Sequence, residues 1–287
     1  KIKLYTDFNK VAEAPNFGYV FPLIEYLYKK TNNLGNCYEV VETVEEADFL
    51  ALPLSVEYLW QTKQQKYFQE FLAKAKGHNK KVLVFTSGDA GKTIYDTIVI
   101  TIRLGGFKDK LTKNTCIMSP FFEDPIGKFN LKFYTIEKGE KPSIGFVGHS
   151  AIGFKKLVKE FLVFIKANFR RLIGKDATDF QSFYPSSVKR FHFLKKIESL
   201  TTIQANFIHR AKYRAGSVSE NDRLKTTIEF FNNIQENPFT FCMRGAGNFS
   251  VRFYETLALG RIPVIVDTNF DLPFSKTIHW DKHCIVV

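Results

Sequence analysis

The chain has 287 residues, enough for one large or two medium domains, and 45% of them are hydrophobic, so real cores can form and no repeat or low-complexity polymer is in question. The formal net charge is +12, but Lys and Arg are scattered, with only short clusters such as Lys155-Lys156, Arg170-Arg171 and Lys195-Lys196. That distribution argues against nucleic acid as a partner and for a generally basic face that attracts nucleotides or acidic glycans. Along the chain, strand and helix patterns alternate. Ile2 to Tyr5, Asp48 to Leu52, Lys81 to Phe85, Thr97 to Arg103 and Thr115 to Met118 read as strands, with helices over Val20 to Thr31 and Val56 to Gly77. Glu137 to Pro142 reads as a linker. Beyond it come a strand from Ser143 to Val147, a helix from Phe154 to Arg171, a polar region around Asp176 to Ser187, a strand near Ile203 to Ile208 and a helix from Glu220 to Gln235. This predicts an α/β protein of two Rossmann-like domains, 1–138 and 139–287, facing across a cleft with ligands outside the C-terminal strand ends.

The richest segment runs from Phe239 to Asp267 and reads as strand, glycine loop, helix and strand. Gly245 and Gly247 permit positive φ and close approach of backbone amides to a ligand. Asn248 or Ser250 is placed to cap the helix that follows, whose N-terminus offers N–H groups and a positive dipole end to a phosphate. Arg244 can fork two donors onto the same anion. Glu255, one turn after Arg252, can accept from paired hydroxyls such as a ribose diol. Gly260 stops the helix, and Ile262 to Val266 reads as a buried parallel strand.

These residues carry a family resemblance. The Phe241-Cys242 strand, Arg244-Gly-Ala-Gly-Asn-Phe-Ser-Val-Arg-Phe-Tyr-Glu-Thr-Leu257, Gly260-Arg-Ile-Pro-Val-Ile265 and Leu272-Pro-Phe274 follow in the order of the exostosin family of glycosyltransferases. Ala47-Asp-Phe-Leu-Ala-Leu-Pro-Leu54 and Ile144-Gly-Phe-Val-Gly148 are similar to two further strands of that family. Asn248 stands where a small residue is usual, and Met243 where a proline usually precedes the arginine.

The resemblance implies a GT-B fold and an inverting transfer from a UDP-sugar, bound in the C-terminal half, to a hydroxyl of an oligosaccharide or glycoprotein glycan. Gly148, Arg210, Arg244, Gly245, Gly247, Asn248, Ser250, Arg252 and Glu255 are the expected donor-binding residues. No D-x-D pair occurs, so no metal or other cofactor is expected, and Arg244, with Arg252 and Arg210 behind it, takes the charge of the leaving diphosphate. Arg214 is a weaker candidate. A general base must take the acceptor's proton. Asp89, beyond a strand end, is the first choice, with Asp7, Glu57 and Glu123 as further acceptor-side carboxylates. The compact chain is similar to the exostosin-like enzymes of large algal viruses, an analogy that favours UDP-xylose.

Two other functions compete. One is a catalytically silent UDP- or glycan-binding protein of the same fold. The other is a P-loop phosphotransferase using Gly88 to Thr93, against which Thr86 stands where the first glycine belongs and a β-branched run follows Thr93. His279 and His283 have helical metal-ligand spacing but read as part of a loop. Cys37, Cys116, Cys242 and Cys284 are too dispersed for a disulfide framework, and three of them fall in apolar runs that predict buried thiols. No run of eighteen apolar residues exists and the chain opens on a strand, so a cytoplasmic protein is expected, or a Golgi-lumenal one if an N-terminal anchor has been removed. The Asn248-Phe-Ser250 sequon lies in the proposed phosphate loop, which favours the first.

Overall fold

In the computed structural model, which describes residues 1–29, 36–212, 216 and 219–287, the chain divides into two compact units. The first comprises Lys1–Met118 with Lys166–Gln181, and the second Ser119–Ile165 with Ser182–Val287. Thr31, the expected end of one helix, and Arg214 lie outside the described residues.

The first unit carries β1 (Ile2–Tyr5), α1 (Phe8–Val11), α2 (Pro22–Lys29), β2 (Tyr38–Val40), β3 (Phe49–Ala51), α3 (Val56–Gln61), α4 (Gln65–Gly77), β4 (Lys81–Thr86), β5 (Val99–Arg103) and β6 (Thr115–Ile117). Its strands form one parallel sheet in the order β2-β1-β3-β4-β5-β6. Strands such as Lys81-Val-Leu-Val-Phe-Thr86 are apolar on both faces because helices cover both faces of a parallel sheet. Leu50, Leu52, Leu59, Val82, Val84, Phe68 and Phe71 fill the resulting core.

One helix was expected over Val56 to Gly77, and the structure has two. The Thr62 hydroxyl donates back to the Tyr58 carbonyl at 2.8 Å, and Lys63 takes a left-handed φ of 59° that ends α3. No glycine or proline marks this break.

The second unit carries α5 (Pro125–Phe129), β7 (Ser143–His149), α6 (Phe154–Leu172), α7 (Ser186–Glu198), β8 (Gln204–Arg210), α8 (Glu220–Glu236), β9 (Phe239–Cys242), α9 (Val251–Ala258), β10 (Ile262–Ile265) and β11 (Ile285–Val286). Its parallel sheet has the order β11-β10-β9-β7-β8. The residues of α6 up to Ile165 group with this unit and the rest with the first. Alternate residues of β9 face opposite ways. Phe241 and Met243 pack with Phe146 and with Leu194 of α7, whereas Cys242 packs with Phe253 of α9 and Ile265.

Both sheets therefore have the doubly wound order of an α/β Rossmann-like fold, as expected. In each, the order reverses beside the first strand, between β1 and β3 and between β7 and β9. Such a reversal opens a crevice at the C-terminal strand ends where ligands bind. All four cysteines are free thiols, but only Cys242 and Cys284 are buried. Cys116 is exposed on β6, the edge of its sheet, where its side chain has no second layer to enter. No helix among the described residues is long and apolar enough to cross a membrane.

Candidate active site

Within the second unit, the glycine loop emerges from the C-terminal end of β9, next to β7 at the strand-order reversal. Neither Gly245 nor Gly247 takes a positive φ, contrary to expectation. A Cβ built on Gly245 would meet nothing within 4 Å. Neither backbone conformation nor internal packing requires glycine there, and the missing side chain leaves the backbone of the loop open to close approach.

The helix start also differs from expectation. Ser250 is the N-cap residue of α9, yet its side chain makes no cap hydrogen bond. Asn248 is buried and turned the other way. Its Nδ2 donates to the Thr268 and Asn269 carbonyls at 3.1 and 3.2 Å, and its Oδ1 accepts from the Thr268 hydroxyl at 2.6 Å. It therefore fastens the loop to the chain after β10, while Ser250 leaves the first turn of α9 without its cap bond, the condition for receiving an anion. The same engagement closes the sequon to modification in the folded protein.

Arg244 enters the loop as a buried cation. Its Nη2 donates to the Ala246 carbonyl at 2.8 Å, and its guanidinium lies 4.5 Å from the ring centre of Tyr184. Arg190, on α7, is half-buried and donates to the His149 carbonyl at 2.7 Å and to the Arg244 carbonyl at 3.0 Å. It ties the ends of β7 and β9 together. Burial lowers the pKa of both arginines, so this corner of the unit carries two desolvated cations to which a polyanion is the natural complement. His149, at the end of β7, also has its pKa lowered, first by burial and then by Lys156 and Arg190, which holds the ring neutral.

Tyr184, Arg190 and His149 were not singled out in the sequence. Tyr184 and Arg190 sit in and just after a stretch that reads only as polar, and the sole local signal is the basic pair Lys189-Arg190 at the start of α7.

The remaining donor-side candidates separate. Glu255, on the second turn of α9, is half-buried, and its carboxylate makes no hydrogen bond to a described residue. Burial raises its carboxyl pKa against the opposing pull of Arg252. Arg252 points into the sheet, with Nη2 donating to the Val147 carbonyl at 2.7 Å, Nη1 to Phe241 at 3.4 Å and the guanidinium 4.2 Å from the Phe146 ring centre. Burial pushes its pKa down to about 10. The carbonyls that Arg252 binds belong to β7 and β9, so it anchors α9 beneath the loop. Gly148 is explained by the same contact, because a Cβ there would lie 2.8 Å from the Arg252 Nη2. Arg210 is held by the Thr226 carbonyl at 2.8 Å and by Glu229 of α8.

In the first unit, Asp89 is exposed on the turn after β4, flanked by Gly88 and Gly91 at φ 75° and 63°, and partial burial raises its pKa. Glu57 is 7% exposed on the first turn of α3 and accepts from the Ser87 N–H at 2.8 Å and the Ser87 hydroxyl at 3.1 Å. Its Oε1 has no partner among the described residues, and burial raises its pKa to about 7. Asp7 caps α1 through the Asn9 N–H at 3.2 Å and accepts from the Tyr67 hydroxyl at 3.3 Å. Glu123 lies in the second unit, exposed and paired with Lys128.

The other motifs have structural roles. No helix follows Thr93, whose N–H and hydroxyl donate to Asp179 at 2.9 and 2.7 Å while Arg103 donates to the same hydroxyl at 3.1 Å. A P-loop needs that hydroxyl free and a helix behind it. His279 and His283 flank a short 3-10 turn, Trp280–Lys282, anchored by the Trp280 indole donating to the Pro273 carbonyl at 2.8 Å. Among the described residues no three His, Cys, Asp or Glu side chains gather as a metal site.

Residues 189–287, from α7 to the last residue, match the family model of the Exostosin GT47 domain. A 50-residue stretch is 48% identical to the Exostosin-1 homolog of Caenorhabditis elegans and covers 17% of this chain and 13% of that protein. The chain thus spans a small part of the length of this curated relative. Residues 189–287 are thus similar to the exostosin GT47 domain, and the two parallel-sheet units fit the GT-B architecture.

Proposed function

We propose that this chain is an exostosin-family inverting glycosyltransferase that moves a sugar from a UDP-sugar to a hydroxyl of a glycan acceptor without a metal ion or other cofactor. The observation that carries the reading is the glycine loop at the β7/β9 strand-order reversal, with open space over Gly245, no cap bond from Ser250 to α9, and buried Arg244 and half-buried Arg190 beside it. In this reading the diphosphate lies on the N-terminus of α9, Arg244 and Arg190 take the charge of the leaving group, and Glu255 accepts from the ribose hydroxyls. The N-terminus of α9 and the paired guanidinium groups supply the positive potential that a divalent ion supplies elsewhere.

On the acceptor side, Asp89 is the base. It takes the proton of the attacking hydroxyl as that oxygen bonds to the anomeric carbon and the carbon–oxygen bond to the diphosphate breaks. A raised pKa suits a carboxylate to accept a proton near neutrality, and exposure leaves it accessible, whereas buried Glu57 holds Ser87 and through it the start of the Asp89 turn. UDP-xylose is the proposed donor by family analogy alone.

The test is a panel of UDP-sugars with the wild type and Asp89→Asn. Release of UDP, with inverted configuration at the anomeric carbon seen by NMR, supports the reading. In the same assay Asp89→Asn is expected to lower kcat by roughly 10²–10⁴-fold with UDP affinity kept. Retained configuration excludes the in-line mechanism, and full activity of the folded variant removes Asp89 as base. UDP binding with neither hydrolysis nor transfer of any sugar favours a silent binding protein.

A further inference from the structure

Apart from the donor loop, the most unusual surface of the molecule is α6. This helix of 19 residues has no buried residue, although its sequence is rich in phenylalanine and aliphatic side chains. At 100° per residue, Glu160, Phe164, Ala167, Asn168 and Arg171 fall on one side, and all are partly covered. That side holds the helix down: Phe164 packs 5.4 Å from the Phe183 ring centre, the Asn168 Nδ2 donates to the Gln181 carbonyl at 2.8 Å, and the Arg171 Nε donates to the Thr178 hydroxyl at 2.9 Å.

Phe161, at the edge of that side, also packs on Phe183, with ring centres 5.3 Å apart. Beyond it the surface is open, and Phe154, Leu162, Ile165, Phe169 and Leu172 form an apolar stripe, with Phe154 80%, Leu162 61% and Leu172 71% exposed. Directly beside it on the wheel run Lys155, Lys159, Lys166 and Arg170, all exposed. A patch of this kind marks an interaction surface.

We propose that α6 is a membrane-surface helix, which lays its apolar stripe into the headgroup and acyl boundary of an anionic bilayer while the basic row beside it meets lipid phosphates. Charge complementarity selects this partner. The flanking row is wholly cationic, and the chain as a whole carries +12. Lysine and arginine beside an apolar stripe reach the headgroup level with their charged ends while their stems stay along the stripe. A second copy of the chain is disfavoured, because a two-fold pairing through the apolar stripe brings the two basic rows alongside each other. A spanning role is excluded by the Lys, Arg and Glu residues that recur along the helix. The inference is independent of the donor site, which lies on other elements of the second unit.

The test is co-sedimentation of the protein with large vesicles of phosphatidylcholine alone and of phosphatidylcholine with phosphatidylserine. Binding is expected only with the anionic lipid, falling as salt rises. Reversing Lys159 and Lys166 to glutamate is expected to weaken it by at least about fivefold per residue. Phe154→Ala with Phe169→Ala, both widely exposed, should weaken it with the charge unchanged, while circular dichroism and the melting temperature report an intact fold. Absence of binding to anionic vesicles overturns the proposal, as does binding indifferent to the phenylalanine pair. So does a concentration-dependent dimer that the same pair disperses, because the stripe is then an interface between copies.

Discussion

Gly245 and Glu255 separate ligand binding from folding within one loop and helix. Because a Cβ at Gly245 meets nothing and its φ is not left-handed, Gly245→Ala is expected to change stability by less than about 0.5 kcal/mol while UDP affinity falls. Glu255→Gln should weaken UDP by about 1–3 kcal/mol, the range for a charge-assisted hydrogen bond. Calorimetric titration beside thermal melts checks both, and unchanged UDP affinity in either folded variant removes that residue from the site.

Glu57 gives the residue scale a pH dependence. Its folded pKa of about 7 stands above the ordinary glutamate value of 4.5, so the native state holds a proton that the unfolded chain has released. Its contribution is therefore fully present below pH 4.5 and is lost as pH rises through about 7, on the order of 3 kcal/mol across the window. Urea melts at acid and neutral pH should show that loss in the wild type and a flatter profile in Glu57→Gln, whose amide oxygen still accepts from Ser87. Equal slopes for the two proteins would put the pH dependence elsewhere.

At the scale of elements, α9 is fixed by a charge driven into the sheet. Arg252 binds carbonyls of β7 and β9 from beneath the helix, so Arg252→Met is expected to destabilise the second unit by roughly 3 kcal/mol, because it leaves a buried carbonyl without its donor. A denaturant melt checks this, and a loss below about 0.5 kcal/mol would show that α9 does not depend on the contact. In sequence, Arg252 looks like a second phosphate ligand, since a basic residue on the first turn of a phosphate helix has that meaning by default. Only the direction of its side chain distinguishes the two, and direction is a tertiary property. The strand, loop and helix order of residues 239–265 was legible because glycine, periodicity and a family pattern coincide there. The break at Thr62 and Lys63 was not, because it depends on a threonine back-bond and a left-handed lysine that carry no breaker residue. Helix α7 and its Arg190 escaped because a basic, weakly patterned segment gives little periodic signal.

At the scale of the whole molecule, the alternation of strands and helices was enough to predict an α/β chain of two Rossmann-like units. That residues 166–181 group with the first unit was beyond its reach. The tie is Asp179, which accepts from Thr93 and pairs with Arg103 at 3.1 Å, a contact across more than seventy residues that no local pattern reports. The two strand-order reversals mark a crevice at the ends of β1 and β3 in one unit and of β7 and β9 in the other, and the second adjoins the cationic loop. The account stands on that loop receiving a nucleotide diphosphate by helix and arginine alone. Calorimetric titration of UDP into metal-stripped protein in EDTA tests it most directly. Binding in EDTA that is unchanged by added Mg²⁺ and weakened by Gly245→Ala is the predicted result, and UDP binding that appears only when a divalent ion is restored would contradict it.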